Sequence, residues 1–290
     1  MGSRRAWLLN FEADLELAAG RPVTPRAGLA RQLAALRERV AETFVDPGDV
    51  LLPPHPAANS ARGLEGACWC PTPSALETLR HAGASVPDAP AFEVLQRVNA
   101  RRFCAELGPG LPGALHSEDA IEITERTGDG SPGSDWLWKR SFGVAGRGQR
   151  RVRAGALTDA DRDWLRASLL EGGVQVEPRV ALGLEFVTHG FVHGAGRVEV
   201  HAPCVQEVDA HGAWQVTRHA AEGELLPGES AALSKAAERA GAALAQAGYF
   251  GAFGTDGFRC RDADGALRLQ KLGEINARYT LGWRVGFPSR

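Results

Sequence analysis

Residues 254–260 of the chain read GTDGFRC, and residues 267–278 read LRLQKLGEINAR. Both segments alternate as β-strands do, and the Asp-Gly pair between them is typical of a hairpin turn. Residues two apart on a strand point to the same side, so Glu274 and Asn276 share one face of the predicted sheet. We expect the paired strand to bring Asp256 to that face.

This predicted strand face offers hard oxygen ligands. Two carboxylates and one amide oxygen, with Arg278 just beyond them, suit Mg²⁺ that carries a phosphate group, and Mn²⁺ would accept the same ligands. The alternative is a solvated strand face with ordinary charges. The segments that precede this face favour a nucleotide site.

Length and charge limit the classes of protein to consider. The 290 residues allow one to three small domains, and the net charge of −2 gives no basic surface for nucleic acid. We find neither a run of about 18 apolar residues nor a signal-peptide layout, so we expect no membrane association. The 5 cysteines do not suggest a disulfide framework, and reduced thiols in the cytoplasm are the simpler interpretation. The sequence leaves homo-oligomerisation open.

Residues 1–88 predict a small, open α/β domain, because strands and helices alternate along them. The predicted elements are a strand over 5–10 that runs into a polar turn, a helix over 29–44, a strand over 49–52, a loop over 56–66, a strand over 67–70 and a helix over 72–81. A proline-rich linker follows.

Residues 89–290 predict a larger α+β region. Its predicted elements are a long helix over 91–107, strands over 121–124, 135–140 and 149–153, a helix over 158–171, a strand over 174–180, a meander of strands over 184–193, 197–207 and 213–218, and a helix over 230–247. The hairpin of residues 254–278 completes the region.

Three glycines lie between two of these strands. Gly143, Gly146 and Gly148 give the pattern G-x-x-G-x-G, which differs from the dinucleotide and P-loop fingerprints. Such a loop is a lid whose backbone N–H groups can fold over a triphosphate. Lys139, on the incoming strand, could reach phosphate oxygens and a purine nitrogen, and Arg147 adds charge at the loop tip. A plain surface hairpin is the alternative.

A second signal follows at Glu177-Pro178-Arg179-Val180. A strand that ends in glutamate and proline exposes backbone groups that can pair with an adenine edge, and Glu185 further on can accept both ribose hydroxyls. This signal is weak alone because acidic residues are common at strand ends.

Taken in order, these segments resemble the ATP-grasp superfamily of carboxylate–amine or carboxylate–thiol ligases. The resemblance covers about residues 90–282, and residues 1–88 are compatible with the smaller domain that precedes this fold in the family. The resemblance implies that two α+β lobes clamp ATP: a lid over about residues 115–180 and a catalytic lobe over about residues 181–290.

The resemblance also implies roles for individual residues. It assigns adenine and α-phosphate contacts to Lys139, phosphate cover to the Gly143–Gly148 loop, adenine binding to Glu177 and the backbone of Val180, ribose binding to Glu185, Mg²⁺ ligation to Asp256, Glu274 and Asn276, and orientation of the transferred group to Arg278. The family has a second basic residue at the start of its central region. We assign that place to Arg101, with Arg102 as the alternative.

The implied reaction is the ATP-dependent activation of a substrate carboxylate as an acyl phosphate, which an amine, or less often a thiol, then attacks. Substrates would be small-molecule or peptide acids and amines, and the cofactors ATP and Mg²⁺. Lys139 and Arg278 would offset charge during transfer. Two alternatives remain: a small-molecule kinase on the same scaffold, and a non-catalytic ATP-binding subunit. The complete set of charged residues disfavours the second.

Two further clusters receive structural interpretations. Cys68 and Cys70 have no partner pair at zinc-finger spacing, so we interpret them as core thiols. His189, His193 and His201 lie in the meander, where an intervening glycine turn breaks their register. We therefore expect no metal site there.

Overall fold

A computed structural model of the chain describes residues 4–128, 135–143, 147–209, 214–262 and 265–287. The strands in these ranges are β1 (Arg5–Leu8), β2 (Val50–Leu51), β3 (Glu65–Cys68), β4 (Leu115–Ser117), β5 (Asp135–Arg140), β6 (Gln149–Arg153), β7 (Val174–Pro178), β8 (Ala181–Val192), β9 (Val198–Val200), β10 (Cys204–Val208), β11 (Trp214–His219), β12 (Gly251–Arg261) and β13 (Leu267–Asn276). The α-helices are α1 (Ala13–Ala19), α2 (Ala27–Phe44), α3 (Pro73–His81), α4 (Phe92–Asn99), α5 (Arg101–Glu106), α6 (Ala120–Gly128), α7 (Asp159–Leu169), α8 (Glu229–Gln246) and α9 (Trp283–Gly286).

The first sheet is parallel, with strand order β2-β1-β3. Helix α2 buries Leu29, Leu33, Val40 and Phe44, which recur at helical spacing and so form one apolar face. The sequence pattern did not predict α1, which begins at Ala13, soon after the polar turn that follows β1. Ala13 and Leu17, four residues apart on α1, are both buried, and their packing stabilises this short helix. The polar residues between them hid this apolar spacing in the sequence.

The second sheet is antiparallel, with strand order β4-β7-β5-β6. Our prediction of a strand over 121–124 is wrong, since these residues belong to α6. The Asp119 carboxylate accepts from Ile121 N at 2.8 Å and so starts the helix, while Ile123 and Thr127, one turn apart, are both buried. Alternation of β-branched residues suggested a strand, but capping and burial favour the helix. The sequence analysis also missed β4.

The predicted long helix over 91–107 is broken in two. Ala100 has φ −70° and ψ 137°, which is extended backbone between α4 and α5. The ends of the break are held by other segments, because Arg101 N donates to Ser141 O at 3.1 Å and Asn99 Oδ1 accepts from Ala277 N at 2.9 Å. These bonds replace the helical ones and turn Arg101 away from a continuous helix.

The third sheet has strand order β11-β10-β8-β12-β13, and β9 pairs with β8. Helix α8 packs on β8, β12 and β13. The predicted strand over 197–207 is interrupted between β9 and β10, where Pro203 lies. Proline has no N–H for the ladder, so pairing stops before it and resumes after it.

One hydrophobic core joins the first sheet to the third. It includes Trp7 and Phe44 from the N-terminal part, and Phe253, Ile275 and Trp283 from the C-terminal part. The domain boundaries that we gave remain predictions, and this shared core means that the N-terminal part packs firmly on the rest. None of the described helices combines the length and apolarity needed to cross a membrane.

Candidate functional site

The pairing of β12 with β13 places three predicted metal ligands side by side. Asp256 lies directly opposite Glu274 across the two strands. Asn276 Nδ2 donates to Asp256 Oδ2 at 2.9 Å, and Arg278 Nη1 donates to Asn276 Oδ1. The structure therefore brings together Glu274 and Asn276, which alternation placed on one face, with Asp256 from the paired strand and Arg278 just beyond it.

Arg101 contributes a cation to the same place. Its Nη1 lies 3.0 Å from Glu274 Oε2, and its side chain is only 8% exposed. The alternative candidate Arg102 is 61% exposed and pairs with Glu106 and Glu118 on the surface. The break at Ala100 thus directs one arginine into the cleft and the next one away from it.

The second sheet, which belongs to the predicted lid, supplies a second ion pair. Lys139 on β5 and Glu177 on β7 lie 2.6 Å apart, with side chains 14% and 12% exposed. Val180 lies in the short connection from β7 to β8, between the second and third sheets. Glu185 follows on β8, opposite Phe258 of β12, on the side of the third sheet that carries Asp256. The predicted hinge residues therefore line the junction of the two sheets.

The glycine loop approaches this cluster at its base. A Cβ atom on Gly143 would lie 3.4 Å from Arg101 Nη2, and Gly148 has a φ of 84°, which favours glycine. Arg147 does not join the cluster, because its Nη2 donates to Gln32 of α2 at 2.6 Å. Gly146 lies outside the described residues, so its predicted role stays a prediction.

Two residues that the sequence analysis missed line a cavity between the second and third sheets. Phe258 and Leu272 border this cavity of about 230 Å³ together with Arg101 and Glu177. Strand parity could have identified Phe258, which lies two residues after Asp256. It could not have identified Leu272, because the register of β12 and β13 shifts next to it and the adjacent Gly273 lines the cavity as well. Their apolar surfaces suit a flat ring better than a charged group.

Mutual electrostatics set the charge of the site. Burial, followed by the charge of Glu274, raises the pKa of Asp256 to about 7. Burial would also raise the pKa of Glu274, but the charges of Arg101, Lys139 and Arg278 outweigh it and lower this pKa. Burial raises the pKa of Glu185, and Lys139 partly opposes this shift. The site thus holds one firmly ionised carboxylate beside one that exchanges a proton near neutral pH.

These donors fit a metal ion that arrives with a nucleotide. Within the described ranges, no three His, Cys, Asp or Glu side chains are arranged as a metal cage. Mg²⁺ normally needs only one or two protein carboxylates, because phosphates and water complete its octahedron. Asp256 and Glu274 would meet that requirement once Arg101 releases Glu274. The Asn276 oxygen already accepts from Arg278, and its second lone pair would serve the metal.

Metal affinity should therefore depend on pH. A divalent cation must displace the proton of Asp256 when the pH is below the pKa of about 7. We expect the affinity for Mn²⁺, measured by electron paramagnetic resonance with ADP present, to rise roughly tenfold per pH unit from pH 5.5 to 7 and to level off by about pH 8. Equal affinities across this range would show that Asp256 is not a ligand.

Comparison with known proteins identifies the fold. No protein-family model matches the sequence, and no curated protein matches it. Among solved structures, biotin carboxylase from Campylobacter jejuni, in its beta-gamma-ATP complex, has a TM-score of 0.57 at 13% identity, over 98% of this chain and 67% of that one. N5-carboxyaminoimidazole synthetase from Staphylococcus aureus, complexed with ADP, has a TM-score of 0.52 at 12% identity, over 97% and 71%.

A third similar structure is the biotin carboxylase domain of Hydrogenobacter thermophilus 2-oxoglutarate carboxylase, in a complex with MgADP and bicarbonate. Its TM-score is 0.55 at 12% identity, over 98% of this chain and 66% of that one. All three are ATP-grasp enzymes, so the chain has the ATP-grasp fold, as the resemblance implied. At these identities the likeness defines the fold and leaves the substrates open.

Proposed function

We propose that the chain is an ATP-dependent ligase that joins a carboxylate to an amine. The carboxylate attacks the γ-phosphorus of ATP, the bond to ADP breaks, and an acyl phosphate forms. The amine then attacks the acyl carbon, loses a proton and releases phosphate. We also propose that the substrates are small acids and amines or peptides, and that the protein acts in the cytoplasm.

One observation carries this proposal. Asp256, Glu274, Asn276 and Arg278 lie together on the third sheet, and Lys139 of the second sheet is close enough to lower the pKa of Glu274. Phosphoryl transfer depends on positioned charges more than on covalent catalysis by the protein. The similar structures, which are carboxylases and a synthetase with ATP or ADP bound, support a ligase on this fold.

Each residue has a distinct part in the proposed reaction. The cavity beside Phe258 and Leu272 would hold the adenine ring, and the Glu177 carboxylate would lie at the polar edge of that ring. Lys139 would give up its contact with Glu177 and would neutralise phosphate oxygens instead. Asp256, Glu274 and Asn276 would hold a Mg²⁺ ion, which would supply positive charge to neutralise the phosphates.

The remaining residues would act on the phosphates and on the transferred group. Arg101, which contacts Glu274 in this structure, would bind phosphate oxygens. Arg278, just beyond the metal ligands, would orient the transferred phosphoryl group. The Gly143–Gly148 loop would exclude water, which would otherwise hydrolyse the acyl phosphate.

Hydroxylamine provides the direct test. Incubation with ATP, Mg²⁺, hydroxylamine and a panel of carboxylic acids should release ADP and give an equal amount of a hydroxamate, because hydroxylamine attacks acyl phosphates. Removal of Mg²⁺ with EDTA should abolish both products. Phosphorylation of a hydroxyl compound with no hydroxamate from any acid would instead identify a kinase and contradict the ligase assignment.

A further inference from the structure

A carboxylate from the N-terminal part of the chain reaches the end of the metal strand. Asp14 Oδ2 on α1 accepts from Arg278 Nη2 at 2.7 Å, and the two side chains are 10% and 15% exposed. Because both side chains are largely buried, solvent screens this contact weakly. Because 264 positions separate the two residues in sequence, only the folded chain can form it.

Arg278 is held at two points. Nη2 binds Asp14 while Nη1 binds Asn276, whose amide in turn binds Asp256. Two contacts in different directions fix both the position and the plane of a guanidinium group. The guanidinium has five N–H donors, and these contacts engage only some of them. The donors that these contacts leave over would serve a phosphoryl group.

Helix α1 is itself rigidly attached. Before the helix, the Asn10 amide donates to Cys70 O at 2.8 Å and accepts from Cys70 N at 3.1 Å. Within the helix, the Glu16 carboxylate accepts from Ser74 N at 3.1 Å, and from its hydroxyl, at the start of α3. Asp14 lies between these two anchors, so its carboxylate has a fixed position.

Stability alone gives a poor account of this buried pair. Removing two charges from water costs about as much as their attraction returns, so a well-packed apolar pair would stabilise the interface equally well. Asp14 also lines a cavity of about 300 Å³ between α1 and the base of the glycine loop, together with Leu15, Phe142 and Gly148 among others. Asp14 therefore links Arg278 to the wall of a cavity beside the glycine loop.

We propose that Asp14 is a positioning residue, which holds the Arg278 guanidinium in the orientation that binds the transferred phosphoryl group. This inference rests on the proposed function. It makes the reaction centre depend on α1, so the N-terminal part of the chain contributes to phosphoryl transfer as well as to packing. Asp14 acts only through Arg278 and does not touch the nucleotide.

The test compares affinities for two nucleotides by calorimetry: ADP and the non-hydrolysable ATP analogue AMP-PNP, each with Mg²⁺. Asp14→Asn should leave the affinity for ADP unchanged, weaken AMP-PNP binding about tenfold and lower turnover roughly 10- to 100-fold. Asp14→Glu keeps the charge on a longer side chain, so it should fold normally and show a smaller loss. In an Arg278→Ala background, Asp14→Asn should cause no further loss of AMP-PNP affinity, because both changes remove one interaction.

Glu16→Gln is the matched control. Glu16 lies on the same helix and is buried as Asp14 is, but its partner is Ser74. The glutamine side-chain oxygen can still accept from Ser74 N, so the anchor of α1 remains and both nucleotide affinities should stay at the wild-type value. Unchanged AMP-PNP affinity in both Asp14 variants, or a loss that adds fully to that of Arg278→Ala, would overturn the inference while the proposed function stands. A wild-type protein that binds neither nucleotide would overturn the proposed function, and the inference with it.

Discussion

Asp256→Asn is expected to lower ATP-dependent turnover by about 10²- to 10³-fold while leaving the protein folded. Asparagine has nearly the same shape, so its amide oxygen can still accept from Asn276. It lacks the negative charge that a metal ion beside the phosphates requires. The expected loss is therefore one of charge and not of geometry.

The same substitution should maintain or increase stability above neutral pH. The folded-state pKa of Asp256 is about 7, above its ordinary value of 3.8, so ionisation costs the folded state stability as the pH rises from about 4 to 7. Asparagine removes that cost and the repulsion from Glu274. At pH 8, urea unfolding should give Asp256→Asn a free energy of unfolding equal to or above that of the wild type.

Asp262→Asn is the control for this variant. Asp262 lies just past the end of the same strand and pairs with Arg268 at 2.6 Å, away from the site, so turnover should not change. Wild-type turnover in Asp256→Asn would remove this residue from the metal site. Glu274→Gln should lose turnover as well, but it leaves the buried Arg101 guanidinium unpaired and should also lose stability.

Lys139→Met is expected to weaken ATP binding about 10²-fold and to destabilise the fold by about 3 kcal/mol. The first effect follows from losing a compact positive charge at the phosphates. The second follows because Glu177, whose side chain is 12% exposed, would keep a charge without its partner at 2.6 Å. Calorimetry with ATP and urea unfolding would measure the two effects.

A double variant separates these two effects. Lys139→Met combined with Glu177→Gln removes the unpaired charge, so most of the lost stability should return. Nucleotide affinity should stay low, because neither substitute can neutralise phosphate. Recovery of ATP affinity along with stability would mean that Lys139 serves only to pair with Glu177, and would contradict its proposed role.

The parts of the site that follow from strand geometry were predictable from the sequence. Alternation with period two places Glu274 and Asn276 on one face, and the hairpin brings Asp256 opposite. The same parity extends to Phe258, which we did not use. It does not extend to Leu272, because the register of β12 and β13 shifts between Asp256 and Phe258. Local rules of this kind need only a short-range pattern, and they hold where the strands stay in register.

The remaining features depend on contacts between distant segments. The break at Ala100 forms because Ser141 and Ala277 supply hydrogen bonds, and no residue in the helix itself signals it. The contact of Asp14 with Arg278 joins opposite ends of the chain, and α1 itself was not predicted. The contact of Arg147 with Gln32 was also not predictable, because tertiary packing sets the direction of the loop.

The central claim is that a magnesium nucleotide binds between the second and third sheets, and a crystal structure with Mg²⁺ and AMP-PNP tests it most directly. We predict that the adenine ring lies beside Phe258 and Leu272. Lys139 should contact the phosphates and no longer Glu177. Mg²⁺ should lie about 2.1 Å from oxygens of Asp256 and Glu274. A nucleotide bound elsewhere would contradict this claim. So would a structure at saturating nucleotide in which the Arg101–Glu274 ion pair is intact and no metal is bound.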